Sequence, residues 1–341
     1  MHIDISVLIP KLADMPRWAH LAEQVGFDAL WSSETKHSPF LPLVLAAEHS
    51  QRLRLGTAVA IAFPRSPMVT AQIAWDLQAY SNGRLLLGLG TQVKAHIERR
   101  FGMRWEAPVA KLREYILALR AIWDAWQNRT RLNFRGTFYK ITLMTDFFDP
   151  GPIEHPHIPI YIAGVNPGLI HLAGELCEGF HVHPFHSVQY MKEIFLPALN
   201  EGLQKAGRHR TDIQLASTVF VITGKNEQEM QAMREMVRRQ IAFYASTPSY
   251  RVVLDVHGWG EVGERLSYLA ARKRWDDMPH LITDEMLAVY AVEAPWEHLG
   301  TALRERYQGI LDRIALYYPF RPEEAEKWKT LIAQIAHTEE P

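Results

Sequence analysis

The stretch Arg52 to Gly102, RLRLGTAVAIAFPRSPMVTAQIAWDLQAYSNGRLLLGLGTQVKAHIERRFG, restricts the fold more than any other part of the chain. Two aliphatic runs, Leu53 to Ala62 and Arg84 to Gly90, flank a segment in which Val69, Ile73, Leu77 and Tyr80 recur at helical spacing. The pattern predicts strand, helix, strand. Neither run alternates, as expected of strands buried on both faces of a parallel sheet. Pro64 and Pro67 fix φ and cannot extend a ladder, so the first strand ends before them. The second closes on Gly88-Leu89-Gly90-Thr91, where small residues let a ligand approach the backbone. In parallel α/β folds, ligands sit at the carboxyl ends of the strands.

The same rhythm runs along the chain. Ile3 to Ile9 predicts a first strand, and Asp14 and Pro16 open a helix that Gly26 closes. Phe27 to Ser32 is a second strand and Leu41 to Ser50 a helix. Lys94 to Gly102 is basic and helical, and Pro108 to Gln127 is amphipathic with Leu112, Tyr115, Ile116, Leu119, Ile122 and Trp123 on its buried side. Asn133 to Ile141 predicts a hairpin turning at Gly136, and the four prolines of Pro150 to Pro159 an irregular crossing. Ile160 to Ala163, Gly179 to His183, Ile213 to Thr223 and Arg313 to Tyr318 supply the remaining strands. Between them lie helices over Asn166 to Cys177, Val188 to Ala206 and Glu227 to Tyr244, a helical region over Gly258 to Pro295, and a last helix over Pro322 to His337. Eight strands separated by helices predict a (β/α)8 barrel formed by residues 1–341 as one domain, its terminal helix starting near residue 322. Two doubly wound domains joined near Asp146 to Pro159 are the alternative. The lack of a third glycine after Gly88 and Gly90 removes their dinucleotide fingerprint, which favours the barrel.

Composition excludes several classes of function. A net charge of −1 gives no electrostatic case for nucleic acid or an anionic membrane. No apolar run approaches the roughly 18 residues of a membrane span, and no leader is recognisable, so a cytoplasmic protein is expected. Cys177 is the single cysteine, which forbids an internal disulfide and a thiolate metal site. The close histidine pairs, such as His155 with His157 and His181 with His183, match no HExxH or facial-triad spacing, so no metal is expected. Neither GxSxG nor a Walker A motif is present, leaving no anchor for nucleophilic or nucleotide-hydrolysing chemistry.

Four segments, AEQVGFDALW (Ala22 to Trp31), LRLGTAVAIAFPRSP (Leu53 to Pro67), SNGRLLLGLG (Ser81 to Gly90) and PIYIAGVNPGLIHLAGELCEGFHVHPF (Pro159 to Phe185), carry a resemblance to the bacterial luciferase-like superfamily. Within it the chain resembles the oxidoreductases that use a deazaflavin, coenzyme F420, in place of flavin. The resemblance implies a cofactor ring across the strand tips and a non-prolyl cis peptide at Ala58-Val59 that backs it. It implies contacts to the ring or its side chain from Gly90, Thr91 and Gln92, and phosphate binding by Ala163-Gly164-Val165 and His183-Pro184. A small-residue corner opening a helix suits an anion on physical grounds too, because backbone N–H groups and the positive end of the dipole face it. The chain departs from the family pattern at two positions. Val93 stands where some relatives have a carboxylate, and Thr35 where relatives carry a catalytic histidine behind an acid.

Glu34 and His37, on either side of Thr35 and Lys36, are therefore the candidate proton-transfer groups. The basic cluster Lys94, His96, Arg99 and Arg100 is either a solvated face or a dock for the cofactor's anionic tail. Alternation places His181 and His183 on one face of their strand, toward the barrel axis or toward the helices. The resemblance implies a homodimer through the early helices, with Leu43, Ile73 and Leu77 as candidates; Trp123 and Trp126 suit core or interface. The expected function is hydride transfer between F420 and a small organic substrate. An FMN-dependent monooxygenase and a cofactor-binding relative without turnover are the alternatives.

Overall fold

The aliphatic runs become eight parallel strands: β1 (His2–Val7), β2 (Ala29–Ser32), β3 (Arg54–Thr57), β4 (Leu85–Gly90), β5 (Ile160–Ala163), β6 (Gly179–Val182), β7 (Gln214–Ile222) and β8 (Arg313–Leu316). In this computed structural model, which describes residues 1–7 and 11–336, each strand pairs with the next and β8 returns to pair with β1, closing a (β/α)8 barrel. The expected extension of the first strand through residues 8 and 9 lies outside the described residues, as does the expected end of the last helix at His337.

Three segments depart from the sequence expectation. The run Leu53 to Ala62 is not one strand but two, β3 and a short strand Ala60–Ile61 on β4, separated by a cis Ala58–Val59 peptide. Thr57 accounts for the local break: its Oγ1 donates to the Gly88 carbonyl at 2.6 Å and accepts the Gly88 N–H at 2.9 Å, standing in for a ladder bond. A Cβ on Gly88 would lie 1.8 Å from the Thr57 carbonyl oxygen, so only glycine fits there. The second departure is within Gly258 to Pro295, which is not wholly helical. After helices Gly260–Ala271 and Asp284–Tyr290 a strand, Ala291–Glu293, pairs with the upper part of β7. Three residues are too few for periodicity to register. Third, the helix over residues 188–205 contains a π turn at Met191–Phe195. Pro197 lacks the amide that an α-helix would bond four residues back, and the wider turn absorbs the loss.

Trp75, Trp123 and Trp126 are buried between the barrel and its helices, which makes them core rather than interface. The barrel interior holds a polar layer. Arg313 clamps the carboxylate of Asp4 with Nε and Nη2 at 2.9 and 2.7 Å, and Trp31 Nε1 donates to the same carboxylate at 2.8 Å. Asp4 is 1% and Arg313 4% exposed, so the pair closes the barrel toward its amino end and is shielded from bulk solvent. Burial raises the Asp4 carboxyl above its usual range, with Arg313 and Trp31 acting against it.

Candidate active site

Strand alternation stacks the barrel interior in layers, and the layer above Asp4 consists mostly of small side chains. Ser6, Ser33, Ala58, Gly90, Ala163 and Thr218 come from six of the strands or their first loop residues, two positions beyond Asp4, Trp31, Gly56, Gly88, Tyr161 and Ala216. The barrel opens at this level. Ser6 is exposed although it points to the same side as buried Asp4, and Ser33, Ala58, Ala163 and Thr218 are half-buried. The remaining two members, His183 after β6 and Tyr317 after β8, are large and stand on either side of β7. Small side chains over β1 to β5 and rings from β6 onward give the carboxyl ends of the strands the outline of a slot.

The floor on the β3 side is held from two directions. Ser33 Oγ donates to the Ala58 carbonyl at 2.9 Å, and the Ala58 N–H donates to the Ser32 carbonyl at 2.9 Å. The Val59 side chain lies over Gly90, where a Cβ would come within 2.5 Å of it. Thr91 is buried beside this wall, and Gln92 turns the chain with φ 62°, its own side chain accepting the Val93 N–H at 3.0 Å. Ala58, Val59, Gly90, Thr91 and Gln92 are thus brought together on one rim.

The three candidates after β2 are not. Glu34 is committed to Arg65 through two parallel bonds of 2.8 Å and accepts the Ile61 N–H at 2.7 Å. That geometry fixes the strand that follows the cis peptide to the β2 corner. Thr35 and His37 are exposed on the loop beyond it, Thr35 accepting from Arg100 through its carbonyl at 2.5 Å. No sequence signal could have paired Glu34 with Arg65, which lies 31 positions away.

At the corner after β5, Ala163, Gly164 and Val165 are half-buried and lead into the helix Pro167–Leu176. Asn166 caps that helix by accepting the Leu169 N–H at 2.9 Å. A Cβ on Gly164 would strike Leu169 at 2.5 Å, so this glycine is required by the tight turn. After β6 the chain passes His183 and Pro184. Both His181 and His183 face the barrel axis. His183 packs edge-on to Tyr244 at 4.6 Å and over Tyr250 at 4.3 Å, while the Tyr244 and Tyr317 hydroxyls are 3.4 Å apart. Its Nδ1 accepts the Phe185 N–H at 3.1 Å, and His186 Nδ1 donates to the His183 carbonyl at 2.8 Å.

Burial pushes His181 and His183 down to about 3, helped by Arg313 and His186 respectively, and His186 down to about 4. All three are neutral at physiological pH, and none is an acid there. His181 Nε2 is buried without a well-formed partner beneath the slot, its ring held between Trp31 and Tyr161. Sequence reasoning missed Ser6, Ser33, Thr218 and Tyr317. Alternation on strands already recognised would have found them, since each lies an even number of residues from an inward-facing position. Among the described residues there is no group of three or more His, Cys, Asp or Glu able to hold a metal ion, and no helix is long and apolar enough to cross a membrane.

The profile of the luciferase-like monooxygenase family matches residues 3–313. An uncharacterized protein of Mycobacterium tuberculosis is 47% identical over 292 residues, 86% of each chain. An F420-dependent glucose-6-phosphate dehydrogenase of Kineococcus radiotolerans is 30% identical over 281 residues, 78% of each. Among solved structures, the coenzyme F420 dependent tetrahydromethanopterin reductase of Methanopyrus kandleri superposes with a TM-score of 0.79 over 98% of both chains at 20% identity, which is a likeness of fold.

Proposed function

The chain belongs to the luciferase-like monooxygenase family, and from that premise we propose that it is a cytoplasmic oxidoreductase moving a hydride between coenzyme F420 and a small organic substrate. The observation that carries the reading is the slot of small side chains against the Ala58–Val59 wall, a shape that suits a planar tricyclic ring. When bound, the deazaflavin supplies the redox chemistry as a hydride carrier. The protein's part is to hold and orient. Ala58, Val59 and Gly90 bound the ring position, Thr91 and Gln92 its edge, and the corners Ala163-Gly164-Val165 and His183-Pro184 the phosphate. Glu34 acts here as a positioning residue, pinning Ile61 and with it the wall. The rings of His183, Tyr244 and Tyr250 keep water from one side of the slot.

Fluorescence titration of the purified protein with F420, and in parallel with FMN, tests the reading. Binding of F420 alone, followed by its substrate-dependent reduction across a panel of alcohols, aldehydes and enones, is the expected result. Preferential FMN binding with reductase-supported oxygen uptake would reassign the protein to the monooxygenases. F420 binding with no turnover anywhere in the panel would make it a non-catalytic relative.

The reading extends to assembly. Leu43 and Leu77 are buried within the subunit and are unavailable to a partner, whereas Leu41, Val44, Val69 and Tyr80 on the helices Leu41–Glu48 and Pro67–Tyr80 are exposed. Apolar side chains grouped on neighbouring helices suit a homodimer. Light scattering should therefore give twice the chain mass, and Val44→Glu with Val69→Glu should give the monomer; a wild-type monomer would remove the dimer.

A further inference from the structure

We propose that the Tyr317 hydroxyl is the proton donor of the reaction, the group that protonates the substrate oxygen as the carbon bonded to it takes up hydride. The inference rests on the F420 reading above, which accounts for the hydride and not for the proton. Two tyrosines follow β8, and alternation sends their side chains opposite ways. Arg313 reaches Asp4 inside the barrel, and Tyr317, four positions on, keeps to the same side with its ring 4.9 Å from Phe220. Tyr318 instead packs among the outer helices, 5.6 Å from Trp296. Tyr317 therefore stands half-buried at the edge of the slot.

The hydroxyl has a partner from a second element. Tyr244, near the end of the helix Glu227–Ala245, brings its own hydroxyl to 3.4 Å from that of Tyr317, and its ring packs edge-on against His183 at 4.6 Å. The Tyr244 hydroxyl also bonds the side chain of Gln240, one turn earlier and half-buried. Two phenols thus lead from the slot toward the outer side of this helix. Burial, with Tyr317 and Tyr250 beside it, raises the Tyr244 hydroxyl above its ordinary value, so it remains a neutral donor behind Tyr317.

Glu34, His37, His181 and His183 are poorly placed for the role. Glu34 is bound to Arg65 and to the Ile61 N–H, and His37 is exposed on its loop. His181 lies below the slot between Trp31 and Tyr161, and His183 already accepts the Phe185 N–H at Nδ1. A phenol bonded to a second hydroxyl is a suitable acid, because the hydroxyl behind it steadies the anion left when its proton departs. In the direction of carbonyl reduction, the carbonyl carbon takes hydride from the reduced deazaflavin, the two-electron donor. The π pair of the carbonyl becomes the new O–H bond, the O–H bond of Tyr317 breaks, and its phenolate takes the Tyr244 proton, which solvent replaces from the outer side. Alcohol oxidation follows the same path in reverse.

Tyr317→Phe keeps the ring against Phe220 and removes only the hydroxyl, and the test uses the carbonyl compound that wild type reduces fastest with reduced F420. The variant should lose about 100-fold in kcat with KM and F420 affinity within about twofold of wild type, and Tyr244→Phe should lose about tenfold. A second variant, Tyr317→trifluorotyrosine, places a more acidic phenol of nearly the same shape there. It should move the alkaline fall of kcat toward acid by about 2 pH units. Its fluorine NMR signals should also shift when the alcohol product is added in the presence of reduced F420, a complex in which nothing reacts. A kcat for Tyr317→Phe within about threefold of wild type overturns the assignment and leaves the F420 reading standing. So does a pH profile or a fluorine spectrum that stays unchanged, or a fall in kcat that lost F420 affinity accounts for, which would make the hydroxyl structural. Wild type that reduces no carbonyl compound with reduced F420 overturns both.

Discussion

Replacing Arg313 with methionine should cost the fold about 3–5 kcal/mol, the largest loss expected from any single substitution in this chain. The reason is the partner left behind. Asp4 would keep a buried carboxylate with only Trp31 Nε1 donating to it, and an uncompensated charge in a dry interior is far more costly than the pair was favourable. Asp4→Leu with Arg313→Met removes both charges and should recover most of the loss. Urea unfolding at pH 7 of wild type, the single and the double variant reads this directly. The single variant should also be least impaired in acid, where Asp4 can be neutral. If Arg313→Met unfolds at the wild-type midpoint, the pair does not hold the barrel closed. The consequence reaches function, because Trp31, bonded to Asp4, lies directly below Ser33, which holds the Ala58 carbonyl.

The same pair shows what could be read in advance. Asp4 stands between Ile3 and Ile5 in the first strand and Arg313 opens the eighth, and closure of an eight-stranded barrel makes those two strands neighbours. Opposite charges at the start of the first and last strands are a legible sign of a closed ring once alternation is followed. Strand positions were legible because doubly buried strands must be aliphatic, and helices because one face must be apolar. The break inside Leu53 to Ala62 was not legible from hydrophobicity, since every residue of the run is buried or half-buried whether or not the chain kinks. It followed only from the family likeness around Gly56-Thr57. Glu34 illustrates the remaining limit. A carboxylate beside a strand tip looks like a free acid until the third dimension brings Arg65 to it.

Stability should fall steeply with acid between pH 6.5 and pH 4, at a slope of about three protons, because three histidines are buried in the neutral form. His181, His183 and His186 have folded-state values of about 3, 3 and 4, below the roughly 6.5 of an unfolded histidine. In that window the unfolded chain binds protons that the folded chain refuses, so unfolding is favoured as pH drops; the stability is complete above pH 6.5 and drains away toward the folded values. At pH 5 each histidine accounts for about 2 kcal/mol, so the three together threaten a domain of ordinary stability. Geometry agrees with the neutral state. Protonation of His183 Nδ1 would evict the Phe185 N–H, and protonation of His186, whose Nδ1 already donates to the His183 carbonyl, would put a hydrogen on a buried Nε2 that has no acceptor. Asp4, raised by burial, works in the opposite sense, and it is one group against three. Urea midpoints from pH 7.5 to 4.5 give the slope. His186→Asn cannot titrate, so it should lower the slope by one proton even if it costs stability overall; a slope unchanged by that substitution would mean that His186 takes up its proton equally in the folded and unfolded chain.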